Sequence, residues 1–226
     1  MDQWRVRLCV GLLAAFWVLI AIGGAVNDGY RQYLDFISSL AARGGDLAWL
    51  GVLALLAVAA AHLVVVPVLR RQDRGVAGAV LAAGCFLVVV AVFPIRCPGA
   101  EYCGPIGEVQ WLDIAHMGGV LGYSLVMVIA MVRAGVLALR IPVRRTWGIA
   151  SLVAAMVFIV ALVLTQGATP GLSQRFWVLA GQVWLVAAAI TPFATRPGTR
   201  RRSSGVARDA PPTSADQPTG RGASSS

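Results

Sequence analysis

The sequence predicts an all-α membrane protein, a bundle of six transmembrane helices with one short outer amphipathic helix. Three observations lead there. Apolar runs of about 20 residues recur along the chain, the length a helix needs to cross the hydrocarbon of a bilayer. Charged residues make up 13% of the chain and hydrophobic ones 58%, with a mean hydropathy of +0.75, whereas soluble domains carry roughly 25% charge. The period-two alternation that a membrane barrel requires is absent. A chain of 226 residues built from such runs makes one transmembrane domain, placed at 1–193, followed by a tail at 194–226.

Met1 to Arg7 is short and basic, and Leu8 to Val26 is the first apolar run. A basic start before an apolar core also suits a cleaved signal peptide, with small residues at Ala21 to Ala25. The length of the run favours a retained first span. Asn27 to Asp46 is the first connection. Tyr30, Tyr33, Leu34, Ile37, Leu40 and Ala41 recur in it at helical spacing, with Arg31, Asp35, Ser38, Ser39 and Arg43 largely opposite. This pattern predicts an amphipathic helix lying at the membrane surface, with Arg31 and Asp35 spaced to pair.

Leu47 to Leu69 is the second span, interrupted by Pro67 near its end, and Arg70, Arg71, Asp73 and Arg74 form a tight basic turn. Val76 to Phe93 is the third span, with Gly78, Ala82 and Ala83 suited to close packing. The fourth runs from Leu112 to Val132 and offers two small-xxx-small pairs, Gly118 with Gly122 and Ala115 with Gly119. Trp147 to Leu164 is the fifth. The sixth, Phe176 to Phe193, is expected to be capped by Ser173. From Ala194 the chain is rich in Arg, Ser, Pro, Gly and Thr, too polar to offset the entropy of ordering, which predicts a disordered cytoplasmic tail.

Charge sets the orientation. The net charge is +9, and all 19 basic residues are arginine. Arg5, Arg7, Arg70, Arg71, Arg74, Arg133, Arg140, Arg144, Arg145 and the tail arginines fall on one side, and only Arg31, Arg43, Arg96 and Arg175 on the other. The positive-inside rule then places both termini in the cytoplasm, and the absence of lysine beside abundant Ala, Gly, Val and Arg suggests a bacterial chain and hence the plasma membrane. This segregation accounts for the basic balance without a nucleic-acid partner, and the partners expected are membrane lipids.

Phe93 to Gly119 is a polar island between apolar runs. Cys97 and Cys103 enclose a loop with a Pro98-Gly99 turn on the side expected to be oxidising, which suits a disulfide. Two free thiols, or half of a metal site, are the alternatives; zinc needs four ligands, and the neighbouring His116 and acids make a poor set. Cys9 and Cys85 lie inside apolar runs and read as packing residues. Asp113 and His116 stand one turn apart at the start of the fourth span and share a face. A carboxylate beside an imidazole suits a proton relay or general base, so these are the candidate catalytic residues. The same pair also suits a tether for the helix end.

His62 lies deep in the second span. At 1.5 Å rise per residue the two histidines differ in depth by roughly 15 Å, which excludes one shared haem, and no cofactor or metal is expected. Ser38 and Ser39 with His116 and Asp113 supply the residue types of a serine hydrolase, but no nucleophile-elbow motif accompanies them.

YLDFISSLAARGG (Tyr33 to Gly45) after the first span, Phe93-Pro94 closing the third, and His116 beginning the fourth resemble the bacterial integral-membrane domain-of-unknown-function family numbered 998. The resemblance covers most of Leu8 to Phe193. It implies a six-helix membrane protein and no established activity. Where the family has an acidic residue soon after the FP pair, this chain has Arg96 and the cysteine loop.

Three functions remain open on the sequence. The first is a non-enzymatic envelope protein that binds a lipid headgroup or small polar ligand at an outer cluster of Asp35, Ser38, Ser39, Arg43, Arg96, Asp113 and His116, where arginine suits phosphate or carboxylate. The second is a lipid-acting enzyme using His116 and Asp113. The third is a small-solute transporter, for which midplane charges and broken helices are the usual pointers.

Overall fold

The computed structural model describes residues 3–43, 47–95 and 111–194. Among these residues the chain is helical and contains no strand. The helices are α1 (Gln3–Val26), α2 (Ala48–Arg70), α3 (Arg74–Val92), α4 (Trp111–Leu139), α5 (Arg145–Leu164) and α6 (Pro170–Ile190). Two short 3₁₀ turns join them, η1 (Ile37–Ala41) and η2 (Pro142–Arg144). Arg96, Cys97, Glu101, Cys103 and Glu108 lie outside the described residues, as does the tail from Thr195 onward. The disulfide and the disordered tail therefore concern parts of the chain beyond this description.

Among the described residues, five helical segments are long and apolar enough to cross a membrane: 3–26, 48–70, 74–92, 111–139 and 142–164. The sixth helix is of similar length, 21 residues, but carries Ser173, Gln174, Arg175 and Gln182. It starts at Pro170 rather than after Ser173, because proline fits the first helical position, where its missing N–H costs nothing. Neighbours in sequence pack side by side from α1 to α6, and α6 returns to touch α1, α2 and α4.

The packing is that of a bundle immersed in an apolar solvent. Large aliphatic side chains such as Leu121, Leu125, Val160, Val163 and Val183 point outward. Ala54, Ala61, Ala83, Ala130, Ala134 and Ala138 lie at the interior crossings, where small residues let helices approach. On α4 the residues facing α3 are Gly119 and Gly122: an added Cβ would lie 2.8 Å from Val90 and 2.5 Å from the Phe86 ring, respectively. Gly118 and Gly78, read from sequence as packing glycines, have no such neighbour within 4 Å. Cys9 is buried as expected, but Cys85 lies on the exterior surface, because its position on α3 falls on the outward side of the helix.

Polar groups inside the bundle are joined across helices. Trp184 Nε1 donates to Ser151 Oγ at 2.7 Å, and Ser151 donates to the Met131 carbonyl at 2.8 Å, linking α6, α5 and α4. Trp17 Nε1 donates to Gln182 Oε1 at 2.7 Å, linking α1 to α6. At the arginine-rich end, Asp73 caps α3 by accepting from the Val76 N–H at 2.8 Å and pairs in a fork with Arg133, 2.6 Å to Nε and 3.0 Å to a terminal nitrogen. The Arg133 hydrogen bonds hold the Asp73 carboxyl below its ordinary range, against the opposing effect of burial. Gln72 bridges to the Ala188 carbonyl and the Phe193 N–H, fastening the end of α6.

Candidate functional site

The feature that sets the arginine-poor end apart is the connection between α1 and α2. Its expected form, an amphipathic helix on the surface, is not what the chain adopts. From Tyr30 to Arg43 it makes a turn, an extended step and the single 3₁₀ turn η1, and Asp35 and all of Ile37 to Ala42 are buried. The apolar spacing that suggested a helix reaches into Ile37 to Ala42, which are buried on every side and form a plug between helix ends.

Each neighbouring helix holds the plug by a distinct device. From α6, Arg175 donates to the Asp35 carbonyl at 3.2 Å, to the Gly171 carbonyl at 2.9 Å and to the Tyr30 hydroxyl at 2.6 Å. Its guanidinium also lies over the Tyr30 ring, 5.7 Å from the centroid. Burial raises the Tyr30 phenol above its ordinary range, with Arg175 working in the opposite direction. Gln174 accepts the Ile37 N–H on its side-chain oxygen, and the Leu172 N–H donates to the Tyr33 carbonyl at 3.1 Å. Two glycines make room for these approaches. A Cβ on Gly171 would collide with the Asp35 carbonyl, and one on Gly51 of α2 would strike the backbone at Leu40 and Ala41.

Arg43 fastens the far end of the plug. Its backbone N–H donates to the Ile95 carbonyl at 3.0 Å and its Nε to the Pro94 carbonyl at 2.9 Å. A terminal nitrogen meets the Asp113 carboxylate at 3.5 Å. These carbonyls follow the end of α3, where helical partners run out. His116 uses the next one: its Nδ1 stands 2.9 Å from the Phe93 carbonyl. Since a carbonyl only accepts, Nδ1 carries the proton.

The structure thus brings Arg43, Asp113 and His116 together around the end of α3. Asp35 and Ser39 serve the plug itself: the Asp35 carboxylate accepts the Arg31 N–H, and Ser39 Oγ donates to the Phe36 carbonyl at 2.7 Å. The bonds of Ser39 and His116 are to backbone carbonyls, and neither belongs to a serine triad. Of these residues, Ser38 lines the cavity beneath the plug.

That cavity, of about 40 Å³, lies under the plug. Ile37 and Ser38 reach it from the plug. Every helix but α5 adds to its wall, including Phe16, Val58, Leu87, Tyr123 and Trp177. Tyr123 forms its aromatic floor, edge-on to His62 at 5.6 Å and to Trp177 at 5.6 Å between ring centroids. His62 is fully buried and directs Nδ1 to the Val58 carbonyl at 2.8 Å. Its other ring nitrogen, and the Trp177 indole N–H, have no hydrogen-bond partner among the described residues. No group of His, Cys, Asp or Glu suited to a metal ion occurs among the described residues.

The sequence reading missed Gln174, Arg175, Gly51 and Gly171 as parts of this site. Arg175 was the available signal, a charge at the head of an apolar run that needs a partner once it is drawn into the bundle.

Apolar helices with outward aliphatic faces and an internally bonded polar interior define a multi-pass integral membrane protein. The chain belongs to the family described as "Protein of unknown function (DUF998)", which matches residues 9–191. Comparison with curated proteins and with solved structures returned no match.

Proposed function

We propose that this is a six-span protein of the bacterial plasma membrane, with both termini cytoplasmic, that binds a small ligand without transforming it. The ligand site in this reading is the central cavity, and the Tyr30 to Arg43 plug is its lid. One observation carries the proposal: five helices and the plug converge on a single mainly apolar cavity with a few polar groups, Ser38, Tyr123, Gln174 and Trp177, in its wall. Small-molecule sites have that composition.

The outer polar cluster has a different part in this reading. Arg43, Asp113 and His116 hold the lid to the end of α3, so they contribute to the site through its roof. The sixth span is α6, whose polar residues Gln174, Arg175 and Gln182 meet the lid and α1 and not lipid. Orientation follows from the arginine asymmetry.

The test is native mass spectrometry of protein extracted in mild detergent, with solvent extraction of whatever remains bound. The wild type is expected to carry a small-molecule adduct that is absent from the cavity-filling variant Val58→Phe at similar melting temperature. Identical complements in the two proteins would refute the proposal.

A further inference from the structure

The walls of the cavity hold no acidic or basic side chain. Three charged groups described at this end of the bundle are engaged elsewhere. Arg43 meets Pro94 and Asp113, Arg175 meets the plug carbonyls and Tyr30, and Asp35 accepts from Arg31. A charge placed in such a cavity would lose its hydration with no counter-charge in return, which costs several kcal/mol.

Two hydrogen-bond donors in this part of the bundle are buried without a partner among the described residues. They are Trp177 Nε1, on a residue of the cavity wall, and Gln182 Nε2, about one turn below Val178 of that wall. Unpartnered donors favour a ligand that brings an acceptor oxygen. The volume of about 40 Å³ exceeds the ~10–15 Å³ that one water needs, yet accepts only a few heavy atoms. It fits the end of a molecule, not a whole lipid.

The remainder of that molecule needs a way out, and the seam where α1 meets α6 offers one. These two helices touch over a shorter stretch than α1 and α2 or α5 and α6. The hydrogen bond that spans their seam is Trp17 to Gln182. Phe16, the neighbour of Trp17, and Val178, one turn from Gln182, both line the cavity. The seam therefore adjoins the cavity.

Resting on the reading of the cavity as a ligand site, we infer that it takes the uncharged oxygen-bearing end of a chain-like neutral lipid, which enters from the bilayer between α1 and α6. The hydroxyl or carbonyl oxygen accepts from the buried donors, the first carbons lie among Phe16, Leu55, Leu87 and Val178, and the chain leaves through the seam.

The experiment uses full-length protein in nanodiscs and two photoactivatable probes of equal chain length. One is a fatty alcohol with a diazirine near its hydroxyl, and the other is the corresponding alkyl sulfonic acid, which stays ionised at a bilayer surface where a carboxylic acid would partly protonate. Labelled residues are located by mass spectrometry. The alcohol is expected to label the segments containing Phe16, Tyr123 and Val178, and the acid at least about tenfold less, the ratio that a 1.4 kcal/mol penalty gives. Val58→Phe, and Val120→Phe as a second filling variant, should abolish this labelling. Val178→Trp, which narrows the seam, should slow it, and Trp17→Phe, which removes the clasp, should hasten it.

Equal or greater labelling by the acid would overturn the neutral-lipid assignment while leaving the cavity a ligand site. Labelling by the alcohol at a rate indifferent to Val178→Trp and Trp17→Phe would overturn the lateral route. Labelling by neither probe above the level of the filled variants would overturn both the inference and the reading beneath it.

Discussion

One type of substitution, glycine to alanine, should change sign with position in this protein. In a helix interior the change ordinarily stabilises by about 1 kcal/mol. At Gly51 the new methyl would stand 2.5 Å from the Leu40 carbonyl carbon and 2.7 Å from its oxygen. At Gly171 it would stand 2.8 Å from the Gln32 carbonyl oxygen and 2.9 Å from the Asp35 nitrogen. The obstacles are backbone atoms, which cannot rotate aside, so the plug itself must move. Overpacking of this kind costs about 1–3 kcal/mol.

Net of the helical gain, each variant should lose up to about 2 kcal/mol, and the loss should appear first as opening of the plug. Hydrogen exchange of the Ile37 to Ala41 amides should then rise by roughly 5–30-fold, the factor corresponding to 1–2 kcal/mol. Melting temperatures in detergent should fall by about 2–4 °C per kcal/mol for a chain of this size. Gly78→Ala and Gly118→Ala, where nothing lies within 4 Å of the new methyl, should leave exchange unchanged and hold or raise the melting temperature. If Gly51→Ala and Gly171→Ala behave as these controls do, the plug does not pack against α2 and α6 as described.

Three further outcomes follow from the contacts. Arg175→Met should release the first half of the plug, at a cost on the order of 2–3 kcal/mol for charged hydrogen bonds; Arg175→Lys should recover only part, read by exchange over residues 30–36, because an ammonium cannot reproduce the planar fork. His116→Phe should cost about 1–3 kcal/mol by leaving the Phe93 carbonyl without its donor; a variant that melts like the wild type would show that this bond does not hold the end of α3. Asp73 titrates below its ordinary range in the folded protein, so its contribution is present above that range and fades as pH falls through the folded value. Detergent melting curves should show this acid-side loss in the wild type. In Asp73→Asn, which keeps a capping oxygen but loses the charge facing Arg133, the step should be absent, and in Asp73→Ala a further ~1 kcal/mol should go with the cap.

Much of the transmembrane architecture was legible in the sequence because hydropathy reports it directly. Leu47 to Leu69 and Trp147 to Leu164 correspond closely to α2 and α5, and family membership was readable from the FISSL segment, the FP pair and His116. The plug was not legible, for a physical reason. Its apolar residues encode burial, and burial on all sides of an irregular segment gives much the same spacing as one face of a helix. Gly171 and Gly51, remote in sequence, make room for its backbone, and no local pattern ties them to it. The polar cluster was found as a set of residues. Its use, satisfying the carbonyls of Phe93, Pro94 and Ile95 beyond α3, depends on an approach of Arg43 across 51 residues of chain.

The central claim is that the α1–α2 connection is folded into the bundle as a lid, and side-chain accessibility tests it most directly. Ser38 is 7% exposed and Tyr33 55%, though both belong to the same short segment. Ser38→Cys and Tyr33→Cys variants in nanodiscs, treated with a water-soluble maleimide and read by mass spectrometry at each position, should differ in labelling rate by at least about 30-fold, as an opening free energy near 2 kcal/mol requires. Equal, fast labelling at both positions would contradict the account and restore a surface helix.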